Sequence, residues 1–230
     1  MITIHEAANR FHTDLGWLNS WHTFSFGDHS HPDRAGFSAL RVINDDTVAS
    51  GQGFGSHSHR DMEILSYVLS GALQHKDSTG GGGVIRAGEV QRMSAGSGVV
   101  HSEFNGSRDE PVHFLQIWLL PDKLSVTPGY EQKKFDFAPG KPTLLASRGG
   151  RDGSVNINQD ASVYGAKLDG AEKISFELKP SRHAWVHLAQ GSVELNGRRL
   201  AAGDGAQVSG ERALDLTGGQ KAEVLLFDLP

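Results

Sequence analysis

GQGFGSHSHRDMEILSYVLSG, residues 51–71, is the stretch from which the fold is read. It is answered further along by GEVQRMSAGSGVVHSEFN, residues 88–105. The first holds His57-x-His59 and the second His101-x-Glu103. Side chains at i and i+2 of a β-strand share a face, so each pair aims two donor groups at one interior. Three imidazoles and a carboxylate converging there make a nitrogen–oxygen site for a first-row metal. Gly51, Gly53 and Gly55 permit a bent strand and a close approach by whatever lies opposite. Glu63, four residues beyond His59, is expected on the same face.

Working outward, the composition sets the class. Residues 1–230 carry 29 glycines spread along the chain, which favours many short strands joined by tight turns. The formal net charge of −5, with no basic block, argues against direct nucleic-acid binding. Cysteine is absent, so neither disulfides nor thiolate ligands are available, and any metal is left to imidazole, carboxylate or amide donors. The first residues, MITIHEAANRF, lack the charged and apolar regions of a signal peptide. No run reaches the roughly 18 apolar residues of a membrane-spanning helix. A cytoplasmic protein with no membrane association is expected.

Along the chain, WHTFSF (21–26) alternates in a pattern in which either phase suits an interior. Gly27 to Gly36 reads as a polar loop, so its His29-x-His31 pair is expected at the surface rather than at a metal. Phe37 to Ile43, Glu63 to Leu69, Ala72 to Asp77, Val84 to Ala87, Glu89 to Met93 and Val112 to Leu120 read as strands. The glycines of Ser78 to Gly83 are not followed by the GK[ST] of a phosphate cradle and are expected to form a loop. Residues 121–141 are polar and carry Pro128 and Pro139, the mark of a crossover between domains. Beyond them the chain returns to short β segments, with Asn196-Gly197 its strongest hairpin signal. LSGALQHKDSTGG…VIRAGEVQRMSAG is echoed by LAQGSVELNG…RRLAAGDGAQVSG, which suggests an internal repeat. The second copy has His183 and His187 but no HxH or HxE pair, so packing or solvent is expected to account for both.

G-x5-H-x-H-x3-E over Gly51–Glu63 resembles the first motif of the cupin superfamily, and Gly88 to Asn105 resembles the second. More narrowly, WHTFSF, GFSALRVINDD, HSHRDMEILSYVLSG, MSAGSGVVHSEFN and FLQIWLLP resemble the pirin family. Within that family the match is to the shorter bacterial members called pirin-like quercetin 2,3-dioxygenases. The resemblance covers the whole chain and is strongest over 17–135. It implies an all-β bicupin of two jelly-roll-type β-barrel domains, 1–135 and 136–230, the second degenerate and only the first binding metal. It also implies one divalent metal held by His57, His59, His101 and Glu103. Four residues separate Gly96 from His101 where the general cupin pattern has two, and Ser94 stands where that pattern has proline. With Glu103 supplying the carboxylate, Glu63 is left either hydrogen-bonded to a ligating imidazole or paired with Arg60 or Arg92.

The activity so implied is opening of the heterocycle of a flavonol such as quercetin with O2, releasing carbon monoxide. Fe(II) is the favoured metal, with Cu, Ni, Mn, Co and Zn admissible. Glu103 or Glu63 is the candidate acceptor for the substrate hydroxyl proton, and Phe24, Phe37 and Phe54 are candidates for an apolar wall. A monomer is expected. The rival reading is a non-enzymatic metal- or redox-sensing regulator acting through a protein partner. A metal-dependent isomerase shares the same site without consuming O2.

Overall fold

A sheet covered on both faces needs apolar residues in both phases of its strands. EILSYVLS, residues Glu63–Ser70, meets that condition, and its first six residues are all buried. The computed structural model describes residues 1–230 as twenty strands and three short 3-10 turns. Glu63–Ser70 lies within a seven-stranded antiparallel sheet. The order is Gly129–Lys134, Glu89–Ser94, Glu63–Ser70, Val112–Leu119, Leu40–Val48, Leu18–His22 and Phe11–Asp14. One face meets a four-stranded sheet ordered Gly53–His59, Val99–Asn105, Ala72–Asp77 and Gly82–Arg86. Val68, Val112 and Phe114 pack there against Leu73 and Ile85.

The other phase, Leu65 and Tyr67, faces the second half of the chain and packs with Leu145, Trp185 and Phe227. Burying a large side chain such as these contributes about 1.5–3 kcal/mol. Tyr67 adds a hydroxyl that donates to Glu223 Oε1 at 2.5 Å across the two halves.

The second half is a nine-stranded sheet whose long strands His183–Leu195 and Ala213–Leu229 shift register at several points. Those irregularities bend the sheet around its own core, which includes Leu168, Val186, Leu188 and Leu216. Asn196 and Gly197 both have positive φ and close the hairpin from His183–Leu195 to Arg198–Ala201, as the dipeptide predicts. The repeat is visible in the backbone. Gly71 and Gly191 take φ of +77° and +74°, and Gly88 and Gly203 take +84° and +88°, at matching places in the two copies.

The all-β expectation holds. The division at residues 135 and 136 does not describe the first strand, however. Ile2–His5 pairs with Gly205–Ser209, so the N-terminal residues complete the sheet of the second half. No helix is long and apolar enough to cross a membrane.

Candidate metal centre

Gly53–His59 and Val99–Asn105 are antiparallel neighbours with His57 opposite His101. That register brings three rings together. Their centroids are 4.4 Å apart for His57–His101 and 4.8 Å for both His57–His59 and His59–His101. The close approach depends on Gly53, because a Cβ there would fall on the Glu103 carbonyl and Phe104. The pairing then shifts register between His101 and Glu103, so that Glu103 stands opposite Phe54.

Glu103 is 1% exposed. Gln116 Nε2 donates to its Oε2 at 2.7 Å, and the Ser66 hydroxyl reaches its Oε1 at 3.2 Å. Burial, opposed by the Ser66 bond and reinforced by the nearby Asp46 carboxylate, pushes Glu103 up to about 7. Asp46, on the same cavity, is also pushed up to about 7 by burial. Burial and the neighbouring imidazoles lower His59 to about 4 and His101 to about 3, so both are neutral bases at pH 7.

The donor set fits a divalent cation. His57 Nδ1 lies 2.8 Å from the Gly55 carbonyl, which fixes the proton on Nδ1 and leaves Nε2 a lone pair. That Nε2 stands 2.9 Å from His101 Nε2. Adjacent ligands bound to one metal at about 2.1 Å would lie about 3 Å apart. His57, His59 and His101 each offer a donor atom within 4.8 Å of the others, and a second such group joins His101 to His75 and Glu103.

Glu63 departs from expectation. Its carboxylate accepts from Ser94 Oγ at 2.8 Å and Asn158 Nδ2 at 3.0 Å, and from no imidazole. It does not line the cavity. The i+4 parity fails because the strand stops at His59 and Asp61 turns the chain at φ +50°. Glu63 restarts in phase with Leu65 and Tyr67, on the face turned to the second half. Burial raises its pKa despite the two bonds it accepts. Phe24 and Phe37 likewise pack on Trp185, at 4.9 and 6.2 Å between centroids, and only Phe54 of the three phenylalanines reaches the cavity.

The cavity has a volume of about 650 Å³. Besides His57, His59 and Glu103 it is lined by Phe26, Trp118, Ser20, His22, Asn44 and Asp46. His29, expected at the surface, is half-buried and also lines the cavity, with Nε2 2.9 Å from Thr13 Oγ1. His31 instead accepts from the Asp33 amide and starts a short 3-10 turn. Sequence reasoning passed over His75 and Asp77, whose i, i+2 spacing is the same signal as the HxH pair. In the second half, His183 Nδ1 lies 2.9 Å from Ser209 Oγ and His187 is wholly buried.

Fold and geometry together define a bicupin with a histidine-rich divalent-metal site in its first half. Residues 4–119 match the Pirin family model, and residues 144–229 match that of the quercetinase C-terminal cupin domain. The chain belongs to the pirin family. It is 46% identical over 230 residues to a quercetin 2,3-dioxygenase of Escherichia coli K12, covering 100% of this chain and 99% of that one. A putative quercetin 2,3-dioxygenase of Mycobacterium tuberculosis H37Rv is 41% identical, with 99% and 95% covered. The crystal structure of the bacterial pirin YhhW from Escherichia coli in complex with nickel(II) superposes with a TM-score of 0.96 at 44% identity, covering 100% of this chain and 99% of that one.

Proposed function

We propose that this chain is a metal-dependent dioxygenase that opens the heterocycle of a flavonol with O2 and releases carbon monoxide. The observation that carries the proposal is three imidazoles converging beside a cavity of about 650 Å³, within the range of small-molecule sites. Full-length similarity to proteins named quercetin 2,3-dioxygenase supports the same reading. His57, His59, His101 and Glu103 are the proposed ligands. Fe(II) remains the favoured metal, and these nitrogen and oxygen donors also suit the nickel(II) held by the solved relative. When bound, the metal would supply Lewis-acid activation of the substrate's vicinal oxygens.

The chain's own groups bind, orient and accept the proton. Trp118, Phe26 and Phe54 offer faces for an aromatic ring, and Ser20, Asn44 and His22 offer hydrogen bonds to its hydroxyls. Glu103, whose carboxylate is buried at the site, accepts the proton lost by the substrate hydroxyl. Glu63 has no part in this step, since it faces the other side of its sheet. A cavity this open favours the enzyme over the sensing regulator, which needs no substrate space.

The test is anaerobic reconstitution with Fe(II), then oxygen uptake and carbon monoxide release on adding quercetin. Uptake lost in His101→Ala is the expected result. Stoichiometric metal without uptake on any flavonol would overturn the dioxygenase reading.

A further inference from the structure

Ala72–Asp77 pairs with Val99–Asn105 on the side away from Gly53–His59, with Asp77 opposite His101 and His75 opposite Glu103. His75, Asp77 and His101 side by side form a buried line. The His75 and Asp77 side chains are 0% and 1% exposed, and His101 is 2% exposed. Asp77 Oδ2 lies 3.1 Å from His75 Nε2, and His75 Nδ1 lies 3.4 Å from His101 Nδ1. His101 Nε2, at the far end, faces His57 Nε2. The His75 ring is stacked on Tyr130 at 5.0 Å between centroids and 23° between planes, which holds its orientation.

We propose that Asp77 and His75 form a hydrogen-bonded relay that fixes the tautomer of His101 and so presents its Nε2 lone pair to the metal. The inference rests on His101 being a ligand, as proposed above. A carboxylate only accepts, so His75 carries its proton on Nε2. Its Nδ1 is then a lone pair, which only a proton on His101 Nδ1 can satisfy. A neutral imidazole has one such proton, so His101 Nε2 is bare. His75 and Asp77 are therefore positioning residues: they act on the metal through His101. The nitrogen of His75 nearest the cluster is engaged by His101, which sets it apart from the ligands.

The other carboxylate oxygen makes the experiment sharp. Asp77 Oδ1 accepts from the Thr79 amide, the Thr79 hydroxyl and the Gly81 amide at 2.8, 2.7 and 3.0 Å. Three donors there hold the amide oxygen of Asp77→Asn in the same place. Its NH2 must then face His75 Nε2, and every proton in the relay is displaced by one nitrogen. His101 would carry its proton on Nε2, pointing at the metal position.

The first measurement uses metal-free full-length protein and nitrogen-15 NMR of the histidine rings. The wild type is expected to show a pyrrole-type Nδ1 and a pyridine-type Nε2 at His101, and Asp77→Asn the reverse. The second is nickel(II) affinity, expected to fall about 10- to 100-fold in Asp77→Asn. His75→Phe keeps the ring stacked on Tyr130 but removes the acceptor, and the same loss is expected there if Asp77→Asn folds poorly. An unchanged His101 tautomer together with unchanged affinity, in whichever variant is folded, overturns the relay. Failure of the ligand assignment is distinguishable, because His101→Ala would then bind nickel(II) as the wild type does while the tautomer result stands.

Discussion

Ser66 and Tyr67 are neighbours on one strand whose side chains serve different ends, so they should fail differently. Tyr67 is 2% exposed, and its hydroxyl donates to Glu223 Oε1 at 2.5 Å. Tyr67→Phe keeps the ring, including its edge contact with Phe137 at 6.4 Å between centroids. It leaves Glu223 with only its ion pair to the half-exposed Lys167 at 3.2 Å. A hydrogen bond to a charged group contributes about 1.5–3 kcal/mol, so a loss of about 2 kcal/mol is expected. For a chain of this length that lowers Tm by about 4–8 °C. Ser66→Ala removes a hydroxyl 3.2 Å from Glu103 Oε1 and 2.9 Å from Gln116 Oε1, loosening the carboxylate beside the imidazoles. There the expected loss is in metal affinity, by about 10-fold. Calorimetry of the metal-free proteins and nickel(II) titration of both variants separate the two outcomes. Reduced metal affinity in Tyr67→Phe at unchanged Tm would refute the assignment of opposite faces.

A saturating divalent metal, at about 100 times its Kd, should stabilise the wild type by about 2.7 kcal/mol, and chelator should reverse the rise in Tm. His101→Ala should show no such rise, whereas His187→Ala should keep it. His187 is wholly buried without a hydrogen-bond partner, and burial lowers its pKa from 6.5 to about 4. The unfolded chain binds that proton first as pH falls, so stability declines from about pH 6.5 to 4, by about 3 kcal/mol from this group. Urea midpoints for His187→Leu should decline less over that interval, and an identical slope would refute it. Gly53→Ala should weaken metal binding by separating Gly53–His59 from Val99–Asn105, which an equilibrium titration with nickel(II) would read.

Local rules of the chain were enough to single out the proposed ligands. The parity of a strand puts His57 with His59 and His101 with Glu103, and glycine spacing marks where the backbone turns between them. Asn196-Gly197 announces its own hairpin, and the matched glycines of the two copies announce the repeat, because positive φ is a local demand. Parity stopped being informative where the strand stopped: the turn at Asp61 moved Glu63 to the opposite face. The same limit hid His75 and Asp77, which look like ordinary hairpin residues until pairing with Val99–Asn105 sets them beside His101. Nor did composition reveal that Ser20, His22, Asn44 and Asp46 would line the cavity, or that Ile2–His5 would join the far sheet. Spacing along a strand is fixed by the geometry of a few consecutive residues, so the sequence carries it. Which strands become neighbours, and in what register, depends on burying the whole apolar surface at once, and only the tertiary structure decides it.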